Sequence, residues 1–377
     1  MTDRIKNQLL TRRELVAKGL SASATSPLLL SAQTLSAAKH APRRKLGVAL
    51  CGLGSYSRNW LAPALQDTQH CELRGLITGS PEKIPAWQSR YGIKKANIYS
   101  YDNMHEVADN PDIDVVYIVT PTGLHLKYAL IAAKAKKHVW CEKPMAMTVK
   151  ECQTMIDVCR EQKVVLSIGY RMQHEPNTLR FGGYAESKPF GALKGIEAKA
   201  GYGGSGHPED YWRMQRHMGG GAMYDMGVYP VNGSRYFSGL DPIAIEARHM
   251  KTHPKKFKEV DETTVFTLHF ANGLKAECAT SVVESYNFAQ MNCDKGWYRL
   301  EPMSEYRGVT GSSSDGKRYP AITGRHQTLQ MDDDALAILQ NRRPRAPGED
   351  GLKDIAAVEA AFKSAANKGK KVDIDYG

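Results

Sequence analysis

Three side chains that can handle protons lie far apart in the sequence, at Lys143, Asp225 and Tyr229. Lys143 follows a short apolar run, and Asp225 precedes Tyr229 by four residues, a spacing that places two side chains on one face of a helix. A phenol is mostly protonated near neutral pH, and a nearby ammonium favours its ionised form. The trio therefore predicts an acid–base site in which Lys143 activates Tyr229, while Asp225 binds substrate or holds Lys143. The alternatives are an exposed loop lysine, a core tyrosine and an aspartate in a helix salt bridge.

Apolar runs alternate with helical patterns between residues 41 and 168, and they indicate the strands and helices that position Lys143. We predict strands over 46–51, 73–78, 115–120, 138–141 and 164–169, and helices over 60–66, 81–91, 125–136 and 148–161. Strands that alternate with helices at this spacing are typical of a parallel sheet covered on both faces. The first fold prediction is therefore an α/β Rossmann domain with a doubly wound parallel sheet.

A glycine-rich turn follows the first predicted strand. Gly52 and Gly54 are the first two glycines of the dinucleotide fingerprint, and Ser57 replaces the third. Glycines here let the backbone turn tightly and approach a pyrophosphate at the start of the next helix. We expect Gly52, Gly54, Ser55 and Tyr56 to contact a dinucleotide.

The end of the second predicted strand bears on the choice between NAD and NADP. An NAD site usually places a carboxylate there, whereas the nearest acidic residue, Glu72, is at the beginning of the strand. Ser80 is expected to cap the following helix, and Lys83 lies in its first turn, where a cation opposes the helix dipole. A bound 2′-phosphate would neutralise that conflict. We therefore predict NADP, held by Thr78, Gly79, Ser80 and Lys83; the alternative is an exposed lysine without function.

Composition excludes several other classes of protein. The net charge is +11, but the basic residues are spread along the 377-residue chain without a zinc-finger spacing or an aromatic-rich basic stripe, so we expect no nucleic-acid partner. The seven cysteines are irregularly spaced, which indicates neither a disulfide framework nor a metal site. No apolar run is long enough for a stable membrane span.

Residues 1–40 are expected to be an export signal and N-terminal arm. Arg12 and Arg13 form an adjacent pair, a mildly apolar stretch without acidic residues follows over 19–38, and Ser36, Ala37 and Ala38 offer a cleavage site. This pattern resembles a twin-arginine signal and predicts a periplasmic protein. The alternative is a disordered basic tail.

Residues 169–377 show a different pattern and predict an α+β domain with a large open, mostly antiparallel sheet. Predicted strands cover 196–200, 243–250, 263–270 and 275–283, with a hairpin at Asn272–Gly273. Phe266, Leu268 and Phe270 share one strand face and are expected in the core. Residues 303–318 are predicted to be a loop, and a last helix over 352–367 to pack back toward the first domain. Similar proteins use such a sheet face to form dimers or tetramers, which implies a homodimer or homotetramer here.

Several motifs together resemble the glucose–fructose oxidoreductase, inositol dehydrogenase and rhizopine-catabolism family. They are Thr120-Pro121 with His125, Cys141-Glu142-Lys143-Pro144, Gly169-Tyr170-Arg171, Trp212-Arg213, Gly219 to Tyr229, Gly296-Trp297 and Pro347 to Gly351. The resemblance covers nearly the whole chain after residue 45. Many dehydrogenases of this family carry His at the position of Tyr229, and Tyr there resembles the glucose–fructose or aldose–aldose oxidoreductase branch.

This resemblance implies an NADP-dependent enzyme that transfers hydride between an aldose and tightly bound NADP(H), which a second sugar then regenerates. It implies cofactor contacts at Thr120, Pro121, His125, Glu142, Lys143, Arg171, Trp212 and Arg213, and substrate contacts at Arg171, Asp225 and Tyr229. Structural roles stay open for Arg171, Trp212 and His125. Two other functions also stay open: a sugar or polyol dehydrogenase that releases NAD(P), and a non-catalytic regulator.

Overall fold

The computed structural model describes residues 44–203 and 207–377, so the predicted export signal lies outside the described residues. The first sheet contains six parallel strands in the spatial order β3-β2-β1-β4-β5-β6. These are β1 (Leu46–Cys51), β2 (Cys71–Ile77), β3 (Ile98–Tyr99), β4 (Val115–Ile118), β5 (His138–Cys141) and β6 (Leu166–Ile168). The strand order reverses between β1 and β4, which is the Rossmann arrangement. The prediction of a doubly wound parallel sheet is confirmed.

The helices of this half are α1 (Ala62–Leu65), α2 (Ile84–Tyr91), α3 (His125–Lys134) and α4 (Val149–Glu161). The prediction of one regular helix over 60–66 is wrong, because a π-helical turn at Ser57–Leu61 precedes α1. Pro63 lacks the N–H that a regular helix would need at that point. At α4 the expected start is present, since the Thr148 side chain accepts a hydrogen bond from the Glu151 N–H at 3.1 Å.

The second sheet contains nine strands in the order β14-β13-β12-β11-β7-β10-β9-β8-β15. Neighbouring strands are antiparallel except β7 and β10, which confirms a large, mostly antiparallel sheet. The strands are β7 (Leu193–Gly201), β8 (Pro242–Met250), β9 (Thr263–Phe270), β10 (Lys275–Ser281), β11 (Tyr286–Cys293), β12 (Gly296–Leu300), β13 (Gly311–Ser313), β14 (Arg318–Tyr319) and β15 (Val372–Asp373).

Part of this sheet escaped sequence prediction. The segment 303–318, predicted as a loop, contains β13 and the first residue of β14. Its Gly and Ser residues carry no strand preference, and the strand forms because its backbone pairs with Tyr298–Leu300 of β12. The predicted core face of β9 is confirmed, since Phe266, Leu268 and Phe270 are all buried.

The second half of the chain has helices of its own, and the last two of them contact the first half. They are α5 (Pro176–Gly182), α6 (Tyr184–Ser187), α7 (Val228–Ser238), α8 (His326–Leu339) and α9 (Gly348–Ala366). The long helix α9 packs on β8 and also contacts α4 and β6, while α8 contacts α1 and β2. Residues near the C-terminus therefore pack against elements of the first half.

The seven cysteines are free thiols, and six of them are buried. In the ranges 44–203 and 207–377, no helix is both long and apolar enough to cross a membrane.

Candidate active site

A cavity of about 460 Å³ lies where the carboxyl ends of β1, β2, β4 and β5 meet the second half of the chain. We call its Rossmann side (Gly52–Tyr56, Thr78, Ser80, Lys83, Thr120 and Pro121) the floor, and its opposite side (Arg171, Arg213, Asp225 and Tyr229) the wall. Among the residues singled out in the sequence, Glu142, Lys143 and Trp212 also line this cavity. Ligands of doubly wound sheets bind at this edge.

The glycine turn after β1 leaves open space above the floor. Gly52 has φ +104°, and a Cβ added there would lie 2.7 Å from the Val119 carbonyl oxygen, so the position requires glycine. At Gly54 an added Cβ would meet nothing within 4 Å. Ser57, in place of the third glycine, donates a hydrogen bond to the Gly52 carbonyl oxygen at 2.5 Å and ties the turn to the helical segment that follows.

At the end of β2, the cap predicted for Ser80 is absent. The Ser80 side chain makes no capping hydrogen bond, because the following segment begins as a 3-10 turn at Pro81–Lys83. The backbone N–H of Ser80 instead donates a hydrogen bond of 3.0 Å to the Thr78 hydroxyl. Ser80 and the exposed Lys83 both line the cavity. Gly79 does not line it, because Gly79 lies against the Tyr101 ring.

His125 also lies outside the cavity lining, contrary to its predicted contact with the cofactor. The ring is buried, with Nδ1 at 3.0 Å from the Pro144 carbonyl oxygen and Nε2 at 2.8 Å from that of Thr120. Burial lowers the pKa of His125. The imidazole thus links the end of β4 to the loop that carries Lys143, which is a structural role.

Lys143 and Tyr229 come together in the cavity, but through the face of the ring. The Lys143 Nζ lies 4.4 Å from the centroid of the Tyr229 ring and donates a hydrogen bond of 2.9 Å to the backbone carbonyl of Asp225. The lysine is therefore held by the main chain of residue 225 and not by its carboxylate. An ammonium over an aromatic face is attracted by the π electrons.

The cation beside the Tyr229 hydroxyl is Arg171. Its Nη2 lies 3.4 Å from the phenol oxygen, and the side chain is buried. The guanidinium also donates to the backbone carbonyls of Ser304 and Glu305 and lies over the Tyr306 ring. A segment distant in sequence, which we predicted to be a featureless loop, thus holds the Arg171 side chain in place.

Asp225 is the centre of a charged cluster on the wall. Its Oδ2 accepts hydrogen bonds from Arg213 Nε at 2.9 Å and from the Tyr202 hydroxyl at 3.0 Å. Burial acts to raise the pKa of Asp225, but the charges of Arg213 and Lys143 and these hydrogen bonds outweigh it and leave the pKa below its ordinary value. Asp225 is therefore an ionised carboxylate at neutral pH.

The local helix differs from the one predicted. Residues Met223–Gly227 form a π-helical turn, and α7 begins only at Val228, so Asp225 and Tyr229 are not one regular α-helical turn apart. Pro230 cannot donate the hydrogen bond that a regular helix would direct to residue 226. Irregular turns of this kind often occur at functional sites.

Glu142 lies deep in the side of the cavity. Its Oε1 accepts a hydrogen bond of 2.6 Å from the Tyr117 hydroxyl, and its Oε2 accepts one of 3.2 Å from the Lys143 N–H. Burial raises the pKa of Glu142, although the bond from Tyr117 and the charges of Lys143 and Arg171 oppose this.

Sequence reasoning missed several lining residues, among them the tyrosines Tyr101, Tyr211 and Tyr306. Tyr211 accepts a hydrogen bond from Arg213 Nη1 at 2.8 Å, and the Arg213 guanidinium lies 4.3 Å from the centroid of the Trp212 ring. Tyr211 could have been found from its position beside Trp212. Tyr306 carried no such signal, because only long-range contacts bring its segment to the site.

Comparison with known proteins agrees with this architecture. Residues 46–170 match the model of an oxidoreductase family with an NAD-binding Rossmann fold, and residues 184–299 match the GFO/IDH/MocA C-terminal domain. The crystal structure of aldose-aldose oxidoreductase from Caulobacter crescentus, complexed with glycerol, is 32% identical, covers 88% of this chain and 100% of its own, and has a TM-score of 0.83. The chain belongs to the glucose–fructose oxidoreductase, inositol dehydrogenase and rhizopine-catabolism family. The resemblance found in the sequence is thereby confirmed.

Two curated relatives match over most of their length. The NADP(+) D-xylose 1-dehydrogenase of Haloarcula marismortui is 28% identical over 84% of this chain and 90% of its own. The 1,5-anhydro-D-fructose reductase of Ensifer adhaerens is 26% identical over 87% of this chain and 98% of its own.

The cavity of this member of the family fits the dinucleotide that its Rossmann fold implies. The space above Gly54 is open, and the buried Thr120 hydroxyl, in the cavity lining, has no hydrogen-bond partner among the described residues. Such an orphaned group is rare unless a ligand satisfies it. Gly52–Tyr56, Thr78, Ser80 and Thr120 would hold the dinucleotide.

Proposed function

We propose that this protein is an NADP-dependent oxidoreductase that acts on CH–OH groups of sugars, with Tyr229 as the proton-transferring residue. The observation that carries the proposal is the convergence of Tyr229, Lys143 and Arg171 in one cavity with a dinucleotide floor. The similarity to an aldose-aldose oxidoreductase and to an NADP(+) D-xylose 1-dehydrogenase supports an aldose substrate.

The residues of the wall, together with Lys143, have different roles in the proposed reaction. When bound, the nicotinamide ring supplies the acceptor or donor of the electron pair that the sugar carbon loses or gains. The Tyr229 oxygen takes the proton of the sugar hydroxyl during oxidation and returns one during reduction. Arg171, 3.4 Å away, stabilises negative charge on that oxygen, and Lys143 fixes the ring from its face. Asp225 orients Arg213 and, through its backbone carbonyl, Lys143.

NADP is favoured over NAD by the groups at the end of β2. Among the residues that the structure describes, no carboxylate residue lines the cavity there, whereas Ser80 and Lys83 do. A cation and a hydroxyl donor suit a 2′-phosphate, whereas the carboxylate that usually binds the ribose hydroxyls of NAD is missing from this set.

We further propose that the protein keeps its cofactor and regenerates it with a second sugar. The test is to purify the full chain without added nucleotide, release and identify any bound cofactor, and screen pairs of monosaccharides. Turnover of two sugars without added cofactor is the expected result. Turnover only when NADP is supplied would instead identify a dehydrogenase that releases its cofactor, and a chain that neither binds dinucleotide nor turns over sugars would overturn the enzyme proposal.

Export to the periplasm and self-association are further parts of the proposal. Arg12 and Arg13 support twin-arginine export, which cell fractionation of an Arg12→Lys/Arg13→Lys variant would test by its retention in the cytoplasm. Met250 and Val265, on the second sheet, are large apolar residues with exposed side chains. A Val265→Lys change is expected to shift a dimer or tetramer toward monomer in light scattering, whereas an unchanged mass would exclude this face.

A further inference from the structure

The Glu142 carboxylate lines the cavity and is tightly packed against its neighbours. A Cβ added to Gly169 would lie 2.6 Å from Oε1, so the carboxylate packs directly on the backbone of the following strand end. Its hydrogen bonds come from the Tyr117 hydroxyl to one oxygen and from the Lys143 N–H to the other. The Tyr117 bond is the shorter of the two, at 2.6 Å, and together the two bonds orient the carboxylate.

A residue of helix α8 determines which way the hydrogen bond between Tyr117 and Glu142 is donated. A phenol has a single proton, which Tyr117 gives to Glu142, and its oxygen accepts a bond of 3.1 Å from Gln330 Nε2. Both Tyr117 and Gln330 are fully buried, so no bulk water competes with either contact. The T-shaped contact of the Tyr117 ring with Trp140 fixes the phenol further.

One turn along α8, Asp334 continues the same buried network. Its Oδ1 accepts a bond of 2.6 Å from the Ser167 hydroxyl, and its side chain interacts with that of Gln330. The network therefore runs from β6 through α8 and β4 to the cavity, and none of its members before Glu142 lines the cavity.

We propose that Tyr117 and Gln330 are positioning residues, which hold Glu142 as an ionised acceptor toward a hydroxyl of the bound dinucleotide. The inference rests on the proposed function, because it assigns Glu142 to the dinucleotide. An amide nitrogen at residue 330 can only donate, so Tyr117 must donate onward to the carboxylate. Other titratable or charged groups also act on Glu142: Tyr56, Cys141, Lys143, Arg171 and Tyr306.

The first test measures NADPH affinity by fluorescence on the nucleotide-free full chain between pH 6 and pH 8.5. In Tyr117→Phe the carboxyl loses the shorter of its two hydrogen bonds, and burial then keeps it protonated to higher pH. We expect affinity to fall about 10-fold at pH 6 and to recover toward the wild-type value at pH 8.5. Gln330→Leu should show the same trend more weakly. The matched control is Tyr91→Phe, which removes a hydroxyl that has no hydrogen-bond partner within residues 44–203 and 207–377 and should leave the NADPH affinity unchanged.

A double-variant cycle shows whether the effect passes through Glu142. Glu142→Gln should weaken NADPH binding at every pH, and Tyr117→Phe should add no further loss in that background. Equal losses from Tyr117→Phe with and without Glu142→Gln, or a loss that does not depend on pH, would overturn the proposal.

A second readout does not depend on the dinucleotide. A carboxyl whose pKa is raised by folding contributes stability below its unfolded pKa and loses it as pH rises through the folded pKa. The unfolding temperature of nucleotide-free Tyr117→Phe, relative to wild type, should therefore fall between pH 5 and pH 8, and Glu142→Gln should abolish this fall. If wild type binds no NADPH, the proposed function fails, whereas an unchanged unfolding profile would refute the network alone.

Discussion

The floor and the wall of the cavity are built from different chemistry. The floor offers mainly backbone and small neutral side chains, with Gly52 in a conformation that other residues avoid and Gly54 beneath open space. The wall consists of charged or phenolic groups that are already paired. Buried Asp225 pairs with Arg213, whose side chain is 31% exposed, and Tyr229 pairs with Arg171.

This difference predicts that substitutions in the floor and in the wall will impair the protein in different ways. A floor that binds by shape and backbone geometry should be disrupted by added atoms, and should lose affinity. A wall of paired buried charges should be disrupted when one partner is removed, because the other is left without compensation. It should also lose rate, since its groups lie where charge develops during the reaction.

The largest effect is expected from Tyr229→Phe, which removes the proton acceptor and keeps the ring under Lys143. Positioned acid–base groups contribute about 10²- to 10⁴-fold, so kcat should fall by that factor. NADPH affinity, measured by fluorescence, should stay within about twofold, roughly 0.4 kcal/mol. Tyr236→Phe, on the same helix but outside the cavity lining, is the control. Full activity of Tyr229→Phe would remove this residue from the mechanism.

Arg213→Ala is expected to have the next largest effect, on stability as well as rate. It leaves the Asp225 carboxylate buried without its main partner, at a cost of about 2 kcal/mol at pH 7. In wild type the lowered pKa of Asp225 contributes stability above its unfolded pKa, which is lost as pH falls through the folded pKa. Without Arg213, burial would raise that pKa, so the destabilisation should shrink from pH 7 to pH 4.

Denaturant unfolding at these two pH values checks the Arg213→Ala prediction. Arg213→Lys keeps a cation near Asp225 and should show less than half of the loss. A destabilisation of Arg213→Ala that is the same at pH 7 and pH 4 would mean that the ion pair does not stabilise the wall.

The floor was more predictable from sequence than the wall, for a physical reason. Gly52, Gly54 and Thr78 follow strands directly, so their place at the sheet edge is fixed by local pattern and by the topology of parallel sheets. Lys143 was found in the same way. Where prediction of the floor was wrong, the cause was also local. Ser80 does not cap the next helix as predicted, because the segment after it begins with a 3-10 turn.

On the wall, sequence identified residues but not their partners. Of the two roles predicted for Asp225, substrate binding or holding Lys143, the second would use its carboxylate, whereas in the structure the Asp225 backbone carbonyl accepts the hydrogen bond from Lys143. Arg171 was named as a candidate, but its contact with the Tyr229 hydroxyl depends on backbone carbonyls of Ser304 and Glu305, more than 130 residues away. Contacts of that separation leave no periodic pattern in the chain.

Substitutions at two glycines of the floor are expected to affect different properties, stability in one case and NADPH binding in the other. Gly52→Ala would place a Cβ 2.7 Å from a backbone oxygen at φ +104°, so we expect a loss of about 1–3 kcal/mol in the free energy of unfolding. Gly54→Ala meets nothing within 4 Å and should leave stability unchanged while its methyl group weakens NADPH binding. Denaturant unfolding and NADPH titration of both variants check this, and equal stability of the two would show that the turn is not strained.

The smallest effect is expected at the edge of the floor, where Lys83 is exposed. Lys83→Ala should weaken NADPH binding by about 10-fold, roughly 1.4 kcal/mol, and leave NADH binding nearly unchanged, because only the 2′-phosphate would meet the ammonium. The effect should shrink at high salt, since an exposed charge is screened. Lys95→Ala, another exposed lysine outside the cavity lining, is the control. An equal loss for NADPH and NADH would place the adenosine ribose elsewhere and reopen the choice of cofactor.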